Sequence, residues 1–419
     1  MDASVTILNL LLSVDGVAGS WSIVAPGAFK DLNVYAQAGE MNTLMVLDIG
    51  SNSIKLVIYD LSTSPPKVIQ KYDDISGLAE GMSLDSKKAK LNRGNVRKIL
   101  RKVAPAIQEI IKEHKPKGFL IMCTEAVRAA IESGRYTGEA EDFLKDFAQK
   151  ISCPQDGLLI PRKAFNVISP ELEAILAAGT AICAGHEDGD VLMLGGGSLE
   201  VARIKKGKLV EGLSATLHIG TRRLFGLRKK LCTDLIERGF DSIPWFNSKG
   251  GDMLLAGGGF RVVGRALAQR IYKVPFNSKL PEHKFANDMR LDEELERLTA
   301  ATYESLFEDS FGARRMRDLQ RVIIEEGKRK YVYIKYKDLE GRQIWMKKND
   351  FNKLHNAWKT KIGRRAKFIR SAAKVLLEAK KRRQPDNIIF LNAHTMREAG
   401  LWRLGLAYVK KVAISRLVA

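Results

Sequence analysis

Two α/β domains built to one plan are predicted by three observations. The chain carries two related Gly-rich hairpins, LDIGSNSIKLVI at residues 47–58 and LMLGGGSLEVAR at 192–203. Set side by side, Leu47 meets Leu192, Gly50 meets Gly195 and Ser53 meets Ser198. Each hairpin begins a run of short strands, and the first run gives way to alternating helix and strand, the order of an α/β domain. The chain's 419 residues also exceed the roughly 250–300 over which a single hydrophobic core grows.

The elements follow in chain order. Residues 1–40 hold one basic residue, Lys30, and four acidic ones, Asp2, Asp15, Asp31 and Glu40. Their apolar run ILNLLLSV lacks the positive residues that precede the core of a secretory signal. The segment is expected to be either a loosely attached arm or sequence ahead of a natural start at Met41. Domain I is placed at 41–172. It has the hairpin at 47–58, a third strand around 68–75, a basic helix near 87–114, a strand at 119–123, a helix from Thr124 and a closing strand at 164–168. Antiparallel strands followed by helix–strand alternation describe a ribonuclease H-like domain. Domain II is placed at 173–419 and begins again with three strands, at 191–194, 199–205 and 208–216. A third Gly loop, LLAGGGF at 254–260, follows a strand and opens a helix, where orphan N–H groups favour anions. A basic insertion near 313–360 interrupts this domain.

Composition narrows the chemistry. Hydrophobic residues make up 45% and charged residues 28%, which excludes a disordered chain, a collagen-like repeat and a disulfide scaffold. No apolar run reaches the roughly 18 residues of a membrane span, so no membrane partner is expected. Cys123, Cys153, Cys183 and Cys232 form no CxxC pair, and the histidines show no HxH or HExxH spacing. Zinc and disulfides are thereby disfavoured, and scattered thiols fit a cytoplasmic location. Any metal is expected to be a hard cation on oxygen ligands, such as Mg²⁺.

The hairpin loops supply the candidate binding residues. A tight Gly/Ser loop after a strand turns backbone N–H groups inward as a nest for anions. Glycine permits positive φ there and lets a phosphate approach the backbone. Gly50, Ser51, Asn52 and Ser53 form the first candidate nest, and Gly195, Gly196, Gly197 and Ser198 the second. Two such loops facing one another predict a phosphate-binding cleft between the duplicated domains.

With these motifs in place, the sequence resembles the exopolyphosphatase/guanosine pentaphosphate phosphatase (Ppx–GppA) family, within the superfamily of actin-like ATPases and sugar kinases. The resemblance covers roughly residues 43–275 and returns near 364–402. DIGSNS at 48–53 and LGGGSLE at 194–200 resemble the family's two phosphate motifs. TEAVR at 124–128 resembles the stretch that supplies a phosphate-binding arginine, here Arg128. VISPELEA at 167–174 resembles the glutamate motif and puts the catalytic base on Glu173. LHIGTRRL at 217–224 and FLNAHTMREAGLW at 390–402 resemble the later motifs. The chain departs from the family at Met193, where an acidic residue is usual and which is the counterpart of Asp48. Asp190 and Asp188 lie at odd offsets from it, on the opposite strand face. It departs also at Pro170, Leu172, Phe260 and Ala399.

The chemistry of a phosphoanhydride hydrolase gives each residue a task, because that reaction needs positioning, charge neutralisation and activated water. Arg128 offers a planar fork for bidentate phosphate contact; its alternative is an ion pair. Glu173 follows Ser169-Pro170, an N-cap and first-turn proline, so it sits early on a helix whose dipole keeps the carboxylate ionised. Asp48, at a strand end beside the first loop, is the best candidate Mg²⁺ ligand, with a turn-stabilising role as its alternative. Glu200 faces the second loop as a candidate for metal or water, or else as a structural acid.

The expected activity is therefore Mg²⁺-dependent release of terminal phosphate from inorganic polyphosphate or a guanosine pentaphosphate-like nucleotide. The alternative is a polyphosphate- or nucleotide-binding sensor with weakened turnover, favoured by Met193. The formal charge of +21 favours the long polymer, as do residues 313–384 with 24 Lys+Arg against 7 Asp+Glu. Residues 328–348 read as a basic hairpin with a DLEG turn, carrying Tyr331, Tyr333, Tyr336 and Trp345. Nucleic acid is the less favoured partner on that ground, and a homodimer is left open.

Overall fold

A computed structural model of the chain describes residues 19–21, 32–36, 41–63, 66–83, 86–272, 282–300, 320–326, 329–337, 343–350, 352, 368–392 and 395–403. These form an α/β protein of two compact units. One is made of residues 1–223 together with 394–419, the other of residues 224–393. Both hairpins therefore belong to the first unit. The expected boundary at 172/173 falls inside a helix, α5 below, which packs on three strands of the second repeat.

In the first unit, short strands β1 (Gly19–Trp21) and β2 (Val34–Ala36) precede the hairpin strands β3 (Thr43–Ile49) and β4 (Ile54–Asp60). Strand β5 (Lys67–Asp74) follows, then β6 (Gly118–Cys123) and β7 (Phe165–Val167). The sheet order is β1-β2-β6-β3-β4-β5, with β7 also on β6. Strands β3 and β6 run parallel and are buried over nearly every residue, as a sheet covered on both faces requires. The edge strand β5 is largely exposed, and its polar KVIQKYDD suits one wet face.

Helices α1 (Arg93–Lys98) and α2 (Ala104–His114) are joined through a π-turn at Ile99–Val103. Helices α2, α3 (Glu125–Glu132) and α4 (Thr137–Ile151) supply the cluster of Ile107, Ile111, Val127, Phe143 and Phe147 that packs with Leu47, Leu56 and Ile121 of the sheet. The second repeat opens with α5 (Pro170–Cys183), capped as expected by Ser169, whose Oγ accepts from Leu172 N at 3.1 Å. Strands β8 (Gly189–Leu194), β9 (Leu199–Lys205) and β10 (Lys208–Leu217) then form an antiparallel trio. This matches the β3–β4–β5 trio of the first repeat.

Residues 32–36 correct the expectation of a loose arm. Leu32 and Val34 are buried, and Tyr35 pairs with Phe119 at the open edge of β6. Asn166 Nδ2 donates to Asn33 O and to Ile121 O, both at 2.9 Å, while Asn33 N donates to Asn166 Oδ1 at 2.8 Å. One buried amide thus knits β2, β6 and β7 together.

The second unit has strand β11 (Asp252–Ala256), parallel to β16 (Asn387–Leu391), with β12 (Glu282–Ala286) antiparallel on its far side. Helices α6 (Lys229–Asp241), α7 (Gly257–Tyr272), α8 (Met289–Ala300) and α9 (Ile369–Arg383) accompany them. The third Gly loop does open a helix, α7, and Gly257 has φ +89°. A β-carbon at Gly264 would be forced into the Phe390 ring, so that glycine sets how closely α7 lies on β16.

The basic segment is described only in part. Strands β13 (Gln320–Glu326), β14 (Arg329–Lys337) and β15 (Gln343–Lys347) make an antiparallel sheet, one strand more than the expected hairpin. The DLEG turn lies outside the described residues. Trp345, 47% exposed, registers opposite Lys335. The cluster at 380–383 is largely occupied: Lys380 pairs with Asp292, Arg382 with Asp241 and Glu378, and Arg383 donates to Ser248 O. Three of these four charges hold the unit together, which takes them away from a polyanion track.

Candidate active site around the two glycine loops

The two loops share one backbone turn. Gly50 N donates to Ser53 O at 2.9 Å, and Gly195 N to Ser198 O at 2.9 Å. The carbonyls of each loop are drawn away by the segment that follows it. In the first loop, Ser76 N and Gly77 N donate to Asn52 O and Ala79 N to Ser51 O. In the second, Gly220 N donates to Gly197 O, Thr221 N to Gly195 O and Arg222 N to Gly196 O. The amides of Ser51, Asn52, Gly196 and Gly197 donate to no protein acceptor among the described residues. That is the electrostatics of an anion nest.

The reason for glycine differs from the expected one. None of Gly50, Gly195, Gly196 or Gly197 has a positive φ. What they provide is close approach. A β-carbon on Gly196 would lie 3.0 Å from Asn52 Cβ and 3.3 Å from Asn52 N, so the loops of the two repeats touch. A β-carbon on Gly197 would overlap Glu125 Oε2.

Arg128 and Glu173 meet directly. Arg128 Nη1 donates to Glu173 Oε2 at 2.7 Å and to Ile168 O at 2.7 Å. Both side chains are buried. Of the two alternatives for Arg128 the ion pair is present, and its Nη2 has no hydrogen-bond partner among the described residues. Burial pushes the Glu173 carboxyl up to about 7, outweighing the pull of Arg128, with Glu125 and Asp48 adding to the rise. This corrects the expectation of a carboxylate held ionised by its helix dipole. A carboxyl that titrates near neutrality is well matched to accepting a proton from water at that pH.

Glu200 stands next to this pair electrostatically. Burial first, and then the charge of Glu173, push it well above the ordinary carboxylate range. Its Oε1 is buried with no hydrogen-bond partner among the described residues. Asp48, also buried, has Lys55 Nζ at 3.5 Å from Oδ2. Met193, the counterpart of Asp48, is buried, and its sulfur lies 3.9 Å from Thr180 Oγ1 on α5. Asp190 is taken up elsewhere, in a bidentate pair with Arg203 at 2.7 and 3.1 Å.

A divalent cation can be tested against these residues. Among the described residues, no three His, Cys, Asp or Glu side chains gather as metal ligands, so the chain offers no all-protein cage. It does offer hard oxygens, above all the orphaned Oε1 of Glu200. Mg²⁺ commonly takes one or two carboxylates and completes its shell with water and substrate phosphates. The donor set fits that pattern, with Glu200 and Asp48 as the residues that would hold the ion.

Three residues escaped the sequence reading. Glu125 is buried, and its Oε2 accepts from Ser51 Oγ at 3.1 Å. Its Oε1 accepts from Arg223 Nε at 3.0 Å. Arg222 donates from Nε and Nη2 to Asn52 Oδ1 at 2.9 and 2.7 Å. Ser51 and Asn52 thus spend their side chains on α3 and on Arg222, and their backbone N–H groups have no protein acceptor among the described residues. Glu125, Arg222 and Arg223 lay within stretches quoted as motifs, but their partners are 74, 170 and 98 residues away.

Comparison with known proteins bears on this site. The sequence model of the Ppx/GppA phosphatase family matches residues 57–230. No curated protein matches the chain in sequence. Among solved structures, the Aquifex aeolicus Ppx/GppA phosphatase in its type II variant aligns with TM-score 0.52 at 18% identity, covering 86% of this chain and 98% of that one. An exopolyphosphatase from Cytophaga hutchinsonii aligns with TM-score 0.57 at 15% identity, covering 88% and 99%. Likenesses at such identities speak for the fold. The stretch that holds Arg128, Glu173 and the second glycine loop matches the Ppx/GppA phosphatase family model, and the chain shares the α/β fold of the Ppx/GppA structures.

Proposed function

We propose that this chain is a Mg²⁺-dependent phosphoanhydride hydrolase that releases terminal phosphate from inorganic polyphosphate or a guanosine pentaphosphate-like nucleotide. The observation that carries the reading is the buried Arg128–Glu173 contact. Arg128 Nη2 and the Glu200 Oε1 atom have no hydrogen-bond partner among the described residues. Buried polar atoms without partners are costly, and a phosphate with its cation and water would satisfy both. In this reading the loop amides and Arg128 Nη2 hold the phosphoryl oxygens. Glu173 takes the proton of the attacking water. Glu200 and Asp48 hold Mg²⁺, which when bound neutralises charge developing on the phosphate oxygens.

Phosphate release from the purified chain, compared on polyphosphate, guanosine pentaphosphate and ATP with and without Mg²⁺, tests this reading. Release from one of the first two that depends on the metal is expected. Tight binding with no release from any of the three would overturn it in favour of a polyphosphate- or nucleotide-binding sensor.

A further inference from the structure

Glu125 has a place in the site that neither the proposed hydrolysis nor the anion nest accounts for. It is the first residue of α3, and its carboxylate lies where the two loops meet. Ser51 Oγ of the first loop donates to Oε2. Arg223, just beyond the second repeat's strands, donates to Oε1. The backbone of Gly197 in the second loop closes the seat, since a β-carbon there would overlap Oε2 and lie 3.0 Å from Ser51 Oγ. A hydroxyl, a guanidinium and a bare glycine backbone are the surroundings that a bound phosphoryl group selects. Here they surround an anion that belongs to the chain.

We propose that this is a second phosphate subsite, with Arg223 as its binding residue and the Glu125 carboxylate as an internal stand-in. A phosphoryl group of a diphosphate or longer chain enters by displacing it. The exchange keeps the buried guanidinium neutralised throughout, because one anion replaces another. A carboxylate accepts hydrogen bonds and donates none, so it satisfies the same donors that a phosphate would. A dianionic phosphoryl group offers more charge and more oxygens to Arg223 and Ser51, which favours the incoming ligand. The inference rests on the reading that these loops meet phosphate, and it does not require turnover.

The test is pyrophosphate binding by calorimetry to the full chain and to Glu125→Ala, Glu125→Gln, Arg223→Met and the double variant Glu125→Ala/Arg223→Met. With the stand-in removed, Glu125→Ala is expected to bind pyrophosphate at least tenfold more tightly than wild type. Its melting temperature should fall without anion and recover more with pyrophosphate than that of wild type. The gain should vanish when Arg223 is methionine, whereas a general loss of negative charge would tighten binding in that background too. Should Glu125→Ala fail to fold, the isosteric Glu125→Gln decides. Wild-type affinity in a folded Glu125 variant, with wild type itself binding, overturns the stand-in alone. Absence of binding in wild type and all variants overturns the phosphate reading of the loops along with it.

Discussion

The two glycine hairpins are alike in backbone and unlike in charge. Each closes with the same Gly N to Ser O hydrogen bond of 2.9 Å. The residue pairs that face each other across the two ladders differ. In the first hairpin Asp48 lies opposite Lys55, and in the second Met193 lies opposite Glu200. Directly opposite residues of an antiparallel pair share a face. The second repeat has therefore lost the acid on its first strand and carries one at the equivalent position across the ladder. Backbone geometry is what the repeat preserves, because the anion nest is made of amides. The charge beside the nest is free to change strands, provided that it still points to the same face.

The largest expected effect separates the hairpins from the helix that follows the first repeat. Glu173→Gln should lower phosphate release by about 100- to 10,000-fold, the usual contribution of a positioned base. Polyphosphate binding, which the proposed function assigns to the loops, should stay within a few-fold. Turnover close to wild type would remove Glu173 from its role. Next in size is the asymmetry between Lys55 and Glu200. Glu200→Gln should raise the Mg²⁺ concentration for half-maximal rate by about tenfold or more, in the range of lost metal-site contacts. Lys55→Met should change it little, because Lys55 reaches Asp48 only at 3.5 Å and is partly exposed. Equal effects in a Mg²⁺ titration would mean that the two hairpins contribute alike.

Met193→Asp would restore the missing acid and place two carboxylates opposite each other. Like charges in that position destabilise a sheet, and the site is buried, so a loss on the order of 3 kcal/mol is expected without metal. Saturating Mg²⁺ should recover most of it if the face binds the ion. Thermal melts with and without the metal check this, and a loss that Mg²⁺ leaves unchanged would assign Met193 to packing against Thr180. A separate, gradual effect is on pH dependence. Glu173 and Glu200 are both raised by burial in the folded chain. The stability they contribute is fully present below the ordinary glutamate range. It is lost as pH rises through the folded value, about 7 for Glu173. Each group accounts for at most about 1.4 kcal/mol per pH unit. Metal-free melting temperatures from pH 5 to 7.5 should fall more steeply for wild type than for Glu173→Gln/Glu200→Gln.

What the sequence reveals of this molecule follows its local patterns. The strands of both trios, the Ser169 cap and the helix beginning after Thr124 were legible because each is written within a few adjacent residues. Arg128 and Glu173 were legible through motif resemblance. Their 2.7 Å contact was not, since it joins residues 45 positions apart. Strand β2 is three residues long, too short for an alternation to be seen, and it is held by Asn166 from 133 positions away. The tight turns at the glycines were legible but the close approach that requires them was not, because the nearness of Asn52 and Glu125 cannot be read from the loop itself.

The course of the chain through the first unit has a consequence for how the protein is made. The chain leaves that unit at Arg223 and returns at His394. The returning helix, Met396–Arg403, is built into the unit: Arg397 Nη1 donates to Leu56 O at 3.2 Å, and Glu398 O lies 3.5 Å from Cys183 Sγ. On a ribosome, both glycine loops emerge well before the helix that packs on β4 and α5. The 170 residues of the second unit, 224 to 393, take roughly 10–30 s to synthesise at ordinary rates. Through that interval the faces of β4 and α5 that the returning helix contacts stay uncovered, and transiently exposed apolar surface of this kind favours aggregation.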